Sequence, residues 1–405
     1  MDLTEIKKNE KSVLATFQKE IPSIHFSDKT ETDYNNHKNR SEIYYRNLLN
    51  FPKDMFKGKN LIDFGAGTGE NTVYLANWGA KCTLVEMNDK AQEISKKVFS
   101  KYTNNFDEHK FIQSSIFDFD EPKLYNSFDI VHCRGVLSHT ADNGKAFDII
   151  SKYLKPGGYL IFGDPNKAGG FQNMLQRLIV YNFAKDWESM IKVSEDLFSE
   201  DIDRAQKAGN RTRNSIIFDR WVVECQDDPS VEDVLMWFKR NKLHFYSSQP
   251  NFSLPILGDS SLHEPRFYIE NLGLKSHALS ELIWMTHTDD DNKAAPEILK
   301  SIEPFAVKLS KLTSLVSNTN PETKIDNKNL VNLLDEVSSE FKEINFLDPL
   351  NQKLNLMTIE IKELINLIDQ NDYDKIKIFL KKTKVLFRGS VGIRHNDYIA
   401  YKNIK

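Results

Sequence analysis

From Lys57 onward, short apolar runs alternate with longer amphipathic stretches, a pattern that predicts βα units around a parallel sheet. The apolar runs place strands at Asn60–Phe64, Lys81–Glu86, Lys110–Gln113, Phe128–Cys133, Tyr159–Asp164 and Leu243–Ser247. Helices are expected between them at Glu70–Trp78, Asp89–Ser100 and Lys145–Leu154, and Lys155-Pro156-Gly157-Gly158 forces a turn into the fifth strand. Past Asp164 the pattern loosens. It is helical around Met174–Ala184, then polar to about 215, then helical again at Ser230–Asn241 with Val231, Val234, Leu235 and Phe238 on one face. From about 252 to 384 no strand is evident. There Leu330, Leu333, Leu334, Val337 and Phe341, and later Leu354, Met357, Ile361, Leu364 and Ile368, keep helical spacing. Arg394–Lys402, with Tyr398-Ile399-Ala400-Tyr401, reads as a closing strand. The expected layout is a helical cover over 1–56, an α/β core over 57–250, a helical insertion over 251–384 and the last core strand within 385–405.

Composition narrows this picture. A chain of 405 residues suits two domains, or one with large insertions. With 40% hydrophobic and 28% charged residues it is globular in character, not disordered. The 54 basic and 58 acidic residues leave a net charge of −4, so no global attraction for a phosphate backbone exists and no DNA partner is expected. Three cysteines with no CxxC pair exclude a disulfide framework and a zinc ribbon. No run of 18 apolar residues occurs, and the opening MDLTEIKKNEKSV has no apolar stretch. Neither a membrane helix nor a secretory leader is expected, which points to a cytoplasmic setting.

The chemistry concentrates in Leu61-Ile62-Asp63-Phe64-Gly65-Ala66-Gly67-Thr68-Gly69-Glu70-Asn71-Thr72. A strand that ends in an acid and runs into alternate glycines must turn sharply and let a ligand touch its backbone, which glycine permits cheaply. Glu86, closing the second strand, can accept both hydroxyls of a ribose, as acids do in nucleotide-binding α/β folds. A dinucleotide requires G-x-G-x-x-G and a helix N-terminus aimed at its pyrophosphate. Here the spacing is G-x-G-x-G, and Asp63 would repel a pyrophosphate while suiting a ligand with an ammonium and a sulfonium. S-adenosylmethionine is favoured over NAD.

Asp63-Phe64-Gly65-Ala66-Gly67-Thr68-Gly69, Glu86, Phe128-Asp129-Ile130-Val131, Val136-Leu137-Ser138-His139 and Leu154-Lys155-Pro156-Gly157-Gly158 together resemble the class I S-adenosylmethionine-dependent methyltransferases, over about residues 57–165. The resemblance implies a Rossmann-like seven-stranded sheet with helices on both faces, its last strand antiparallel. It implies that Asp63 and Gly65, Ala66, Gly67 and Gly69 hold the methionyl end of S-adenosyl-L-methionine, and that Glu86, with Met87 beside it, holds the ribose. Ser115 and Ile116 match the position flanking adenine, where many members have an Asp. Cys133, at the tip of the fourth strand, is placed by the fold near the methyl-transfer locus; the bare residue reads as a small buried hydrophobe.

After the fourth strand the chain has no Asn/Asp-Pro-Pro-Tyr, a motif that marks methylation of planar amide and exocyclic amino nitrogens in many members. Leu137-Ser138-His139-Thr140 instead resembles a segment of small-molecule methyltransferases, with His139 either a general base or structural. Arg220 and Trp221 are candidates to cap an acceptor pocket, against a surface ion pair beside a packed indole. His263 opens the insertion within reach of that pocket. His287 with Asp289–Asp291 reads as a solvated loop, so no metal is expected. Tyr44 and Arg46 are candidate contacts of the N-terminal lid. The expected function is methyl transfer to an O, N or S atom of a small metabolite, with the helices at 166–230 building the acceptor side and the insertion serving as a cap or a homodimer contact. A peptide or RNA acceptor, a nicotinamide-dependent oxidoreductase, and a non-catalytic S-adenosylmethionine-binding assembly protein remain alternatives.

Overall fold

The computed structural model describes residues 3–249, 289–320, 325–343, 348–388 and 395–404. Seven strands, β1 (Asn60–Phe64), β2 (Lys81–Glu86), β3 (Lys110–Gln113), β4 (Phe128–Arg134), β5 (Leu154–Pro165), β6 (Leu243–Gln249) and β7 (His395–Lys402), form one sheet in the order β3-β2-β1-β4-β5-β7-β6. All pairs among β1–β5 are parallel, and β7 runs antiparallel to both β5 and β6. Strand order reverses at β1, with β2 on one side and β4 on the other, so the crossovers part there and leave a crevice at the strand carboxyl ends.

The central strands β1, β2 and β4 are buried on both faces, and their two-residue period sends neighbours to opposite cores. Ile62, Phe64, Val131, Cys133 and Phe162 enter one cluster, while Leu61, Leu84, Ile130, Ile161 and Ile399 enter the other. Each such side chain contributes about 1.5–3 kcal/mol by leaving water.

Among the described residues nine α-helices precede β6: α1 (Leu3–Lys19), α2 (Glu31–Ile43), α3 (Val73–Asn77), α4 (Asp89–Tyr102), α5 (Asn143–Ser151), α6 (Lys167–Phe183), α7 (Trp187–Gly209), α8 (Arg213–Ile217) and α9 (Val231–Arg240). Among the described residues between β6 and β7 lie α10 (Asp289–Ser317), α11 (Asn327–Lys342), α12 (Asp348–Asp369) and α13 (Tyr373–Lys382). A third core is wholly helical. Leu175, Ile179 and Ile202 of α6 and α7 meet Leu312, Leu334, Leu364 and Ile376 of α10–α13.

Three expectations are corrected. Lys155-Pro156-Gly157-Gly158 lies inside β5 as a bulge: Phe128 pairs with Leu154, and the next pair is Ile130 with Tyr159. Gly157 turns the chain there at φ +78. The first core helix starts at Val73, because residues 70–72 still belong to the glycine loop. The polar stretch after Ala184 contains α7, whose apolar register is broken by non-helical backbone at Phe198 (φ −127). Its start is nevertheless encoded, in an Asp186/Ser189 capping box.

Candidate active site

One cleft opens at the carboxyl ends of β1, β2, β3 and β4. Gly65, Ala66 and Gly67 form its floor, Glu86 and Met87 one wall, Ser115 and Ile116 the far end, and His132, Arg134 and His139 the opposite wall. Gly65 and Gly67 have φ of +68 and +54. A Cβ on Gly67 would stand 2.7 Å from Ser23 Oγ, so the loop and the N-terminal segment could not both keep their places.

Asp63 is buried and doubly engaged. Its Oδ1 accepts from His132 Nδ1 at 2.7 Å, and its Oδ2 accepts from the Thr72 hydroxyl. That bond fixes the His132 tautomer, so Nε2 accepts from Tyr45 O–H at 3.0 Å. Tyr45 is pushed up to about 12, chiefly by burial, and keeps its proton. A buried chain Tyr45–His132–Asp63–Thr72 thus locks the acid at the head of the glycine loop. Glu86 accepts from Gly67 N and Asn88 N, each at 2.8 Å, and closes the loop from the other side. Burial raises its pKa against the pull of those two N–H groups.

Arg134 makes a two-pronged contact with Asp397 of β7, at 2.6 and 2.9 Å, and lies over the Tyr44 ring. Burial opposes ionisation of Asp397, but Arg134 overrides it and holds the carboxyl well below the usual range. The last strand is in this way tied to the cleft wall.

The N-terminal segment roofs the cleft. Val13, Leu14 and Phe17 of α1, with Ile21, Pro22 and Ser23, supply its apolar side. Thr68 N donates to Ser23 Oγ at 3.2 Å, and Thr68 Oγ1 donates to the Ser23 carbonyl at 2.9 Å. Beside them, buried Glu70 accepts the backbone N–H groups of His25, Phe26 and Ser27 at 2.7–3.0 Å.

His139 lies on a short 3₁₀ turn after β4, edge-on to Phe17. Its Nδ1 is 3.0 Å from the Cys225 carbonyl, which can only accept, so Nδ1 carries the proton and Nε2 the lone pair. Asp219 Oδ1 lies 3.8 Å from Nε2. Burial works against the Asp219 charge, yet Arg211 keeps its pKa low.

Four sequence-derived site residues lie elsewhere. Cys133 is fully buried in the core under the opposite sheet face, its thiol pushed up by burial; alternation gives the cleft to His132 and Arg134. Gly69 packs on Ser95 and Phe99 of α4 and shapes the loop without lining the cleft. Trp221 is fully buried, stacked on Phe198 in the helical core, and Arg220 pairs with Asp201, so neither faces the cleft. Of the two lid candidates, Tyr44 bonds Asp397 and Arg46 bonds Asn47. His263 and His287 lie outside the described residues. Sequence reasoning missed His132, Arg134, Tyr45, Phe17 and Ser23. Period-two alternation around Cys133 was signal enough for the first two.

A family model described as a methyltransferase domain matches residues 36–203, which contain the glycine loop, Glu86 and His139. Residues 36–203 thus carry a methyltransferase domain, in keeping with the resemblance to the class I S-adenosylmethionine-dependent methyltransferases. The methyltransferase domain is similar to a ubiquinone biosynthesis O-methyltransferase from Alkalilimnicola ehrlichii, 26% identical over 147 residues, covering 34% of this chain and 57% of that one. The mitochondrial ubiquinone biosynthesis O-methyltransferase of Schizosaccharomyces pombe is 27% identical over 169 residues, 41% of this chain and 58% of that one. A dimethylglycine N-methyltransferase from Parasynechococcus marenigrum is 24% identical over 176 residues, 41% and 62% of the two chains. The chain therefore spans less than two thirds of the length of these curated relatives.

Proposed function

We propose that this protein transfers the methyl group of S-adenosylmethionine to an O, N or S atom of a small molecule. The observation that carries this reading is the single cleft in which a positive-φ glycine loop, a buried loop-head acid and a strand-end glutamate converge at the switch point of the sheet. The wall fits the donor. Asp63 and Glu86 against Arg134, already paired to Asp397, leave it acidic, with Glu10 there paired to Lys7; this suits a cationic ligand and would repel a pyrophosphate. Gly65–Gly67, Asp63 and Glu86 would hold the donor, with Ser115 and Ile116 at its base end. The bound donor supplies an electrophilic methyl on a sulfonium.

The remaining work falls to the protein: alignment, exclusion of water and removal of a proton. Val13, Leu14 and Phe17 keep the roof apolar. His139 lines the cleft with a fixed Nε2 lone pair and can take the acceptor's proton, after which Asp219 stabilises the imidazolium.

Thermal unfolding with S-adenosylhomocysteine, and in parallel with NAD and NADP, tests the reading. At 100 times its dissociation constant, S-adenosylhomocysteine adds about 2.7 kcal/mol to the native state. A shift with a dinucleotide instead, or none with S-adenosylhomocysteine, overturns it.

A further inference from the structure

A second, more polar pocket adjoins the donor cleft. Thr140 lines both. Cys225, whose carbonyl fixes the His139 tautomer, also lines the second pocket, so the pocket borders the segment that holds His139 in place. The remaining wall comes from three separate parts of the chain: the start of α1, residues 224–227 and the end of α10. Such convergence beside His139 is what an acceptor site requires, because the donor cleft is itself filled out by groups suited to the donor.

The chemistry of the wall is one-sided. Glu5, Glu224 and Asp227 face a single ammonium, Lys8. Asp227 is 3.7 Å from Lys167, whose charge opposes the rise that burial imposes on its pKa, and Ser12 Oγ donates to Glu224 Oε2 at 3.1 Å, so both carboxyl groups are held in place. A second observation is independent of charge. Ser317, at the end of α10, is 5% exposed and lines the pocket, yet its hydroxyl has no hydrogen-bond partner. Asn9 presents an unpaired carbonyl oxygen in the same wall. A buried polar atom left unpaired costs about 1–3 kcal/mol, a cost that a ligand can remove. Oxygen acceptors and carboxylates together call for a ligand rich in N–H or O–H donors and carrying positive charge.

We infer that this pocket binds the methyl acceptor and that the acceptor carries an ammonium group, held by these carboxylates, apart from the atom that is methylated. The inference rests on the methyltransferase reading and narrows it. A carboxylic acid of similar size would meet three carboxyl groups against one ammonium.

The test uses the full chain saturated with S-adenosylhomocysteine, titrated by calorimetry with two amines, tyramine and ethanolamine, and their matched acids, 4-hydroxyphenylacetate and glycolate. At least one amine is expected to bind and neither acid. Glu224→Gln weakens the amine about tenfold, the loss of one charged hydrogen-bond partner, with S-adenosylhomocysteine affinity unchanged. Ser317→Ala weakens it as well while leaving thermal stability equal or higher, because the hydroxyl it removes has no partner in the free protein. Binding of the acids as tight as that of the amines, indifference to both substitutions, or no amine binding despite stabilisation by S-adenosylhomocysteine each overturns the pocket assignment. Absence of that stabilisation overturns the donor reading beneath it.

Discussion

Asp164 shows how single side chains behind the cleft carry its energetics. It is buried at the carboxyl end of β5, where it accepts from Leu137 N at 3.0 Å and Ser138 Oγ at 3.1 Å and so pins the turn that presents His139. Burial, reinforced by Asp228, pushes its pKa up to about 7, against the opposing pull of His395 and its two donors. The folded state then binds a proton that the unfolded chain releases near 3.8. Between those values the native state holds more protons, so this group's contribution to stability falls as pH rises from about 4 to about 7 and is level beyond. Asp164→Asn mimics the protonated acid, with its oxygen toward Leu137 N and its amide toward Ser138. The variant is expected to flatten the decline in denaturant midpoint over that range and to exceed the parent at pH 8 by on the order of 2–4 kcal/mol. An identical pH profile in the two proteins would show that Asp164 stays ionised in the native state. The three buried acids Asp63, Glu86 and Asp164 illustrate why residue identity alone does not give a role: one is locked by a histidine, one by backbone N–H groups, and one pins the turn before His139 while burial raises its pKa.

At the scale of elements, the glycine loop and the segment 23–27 behave as one unit. Glu70 is the joint. Its carboxylate takes three backbone N–H groups, and burial raises its pKa even with those bonds made. Glu70→Gln retains the volume but replaces one acceptor oxygen with an NH₂ that faces a donor, leaving at least one buried N–H unpaired at a cost of about 1–3 kcal/mol. Faster amide exchange confined to residues 23–27 and to the loop is expected, together with S-adenosylhomocysteine affinity lowered roughly five- to tenfold. Exchange unchanged at those positions would mean that Thr68 and Ser23 hold the roof by themselves. This joint also marks the limit of what sequence made legible. Strands β1–β3 were readable to the residue, since each is a short apolar run bounded by turn and helix signals. Gly65, Ala66, Gly67, Glu86, Met87, Ser115 and Ile116 were readable as lining, because they sit where strands end. The roof was not: a bond from Glu70 to residue 25 depends on tertiary placement and leaves no periodicity behind. Trp221 misled for the opposite reason. An aromatic next to an arginine looks the same in sequence whether it caps a pocket or stacks on Phe198 in a core.

For the whole molecule, the question is whether the helices between β6 and β7 are an appendage or part of one folding unit. The packing answers it. The helical core joins Leu175, Ile179 and Ile202, which precede β6, to Leu334, Leu364 and Ile376, which follow it. Asp397, beyond all four helices, clamps Arg134 in the cleft wall, and Phe387 N donates to Gln172 Oε1 on α6 at 2.7 Å. Removing the helices would strip one face of α6 and α7 and release the strand that completes the sheet. Leu364 is fully buried on α12, far in sequence from every donor-cleft residue. Leu364→Ala removes its buried methyls and leaves a cavity, a loss of roughly 2–5 kcal/mol depending on how far the site collapses. In scanning calorimetry the variant is expected to unfold in a single transition, shifted downward, and S-adenosylhomocysteine is expected to raise that same transition. A new low-temperature peak, with the ligand-responsive peak left where it was, would instead make the helical core a separate unit. A shared transition would mean that the acceptor pocket, whose wall includes the end of α10, is held by the same cooperative structure as the donor loop.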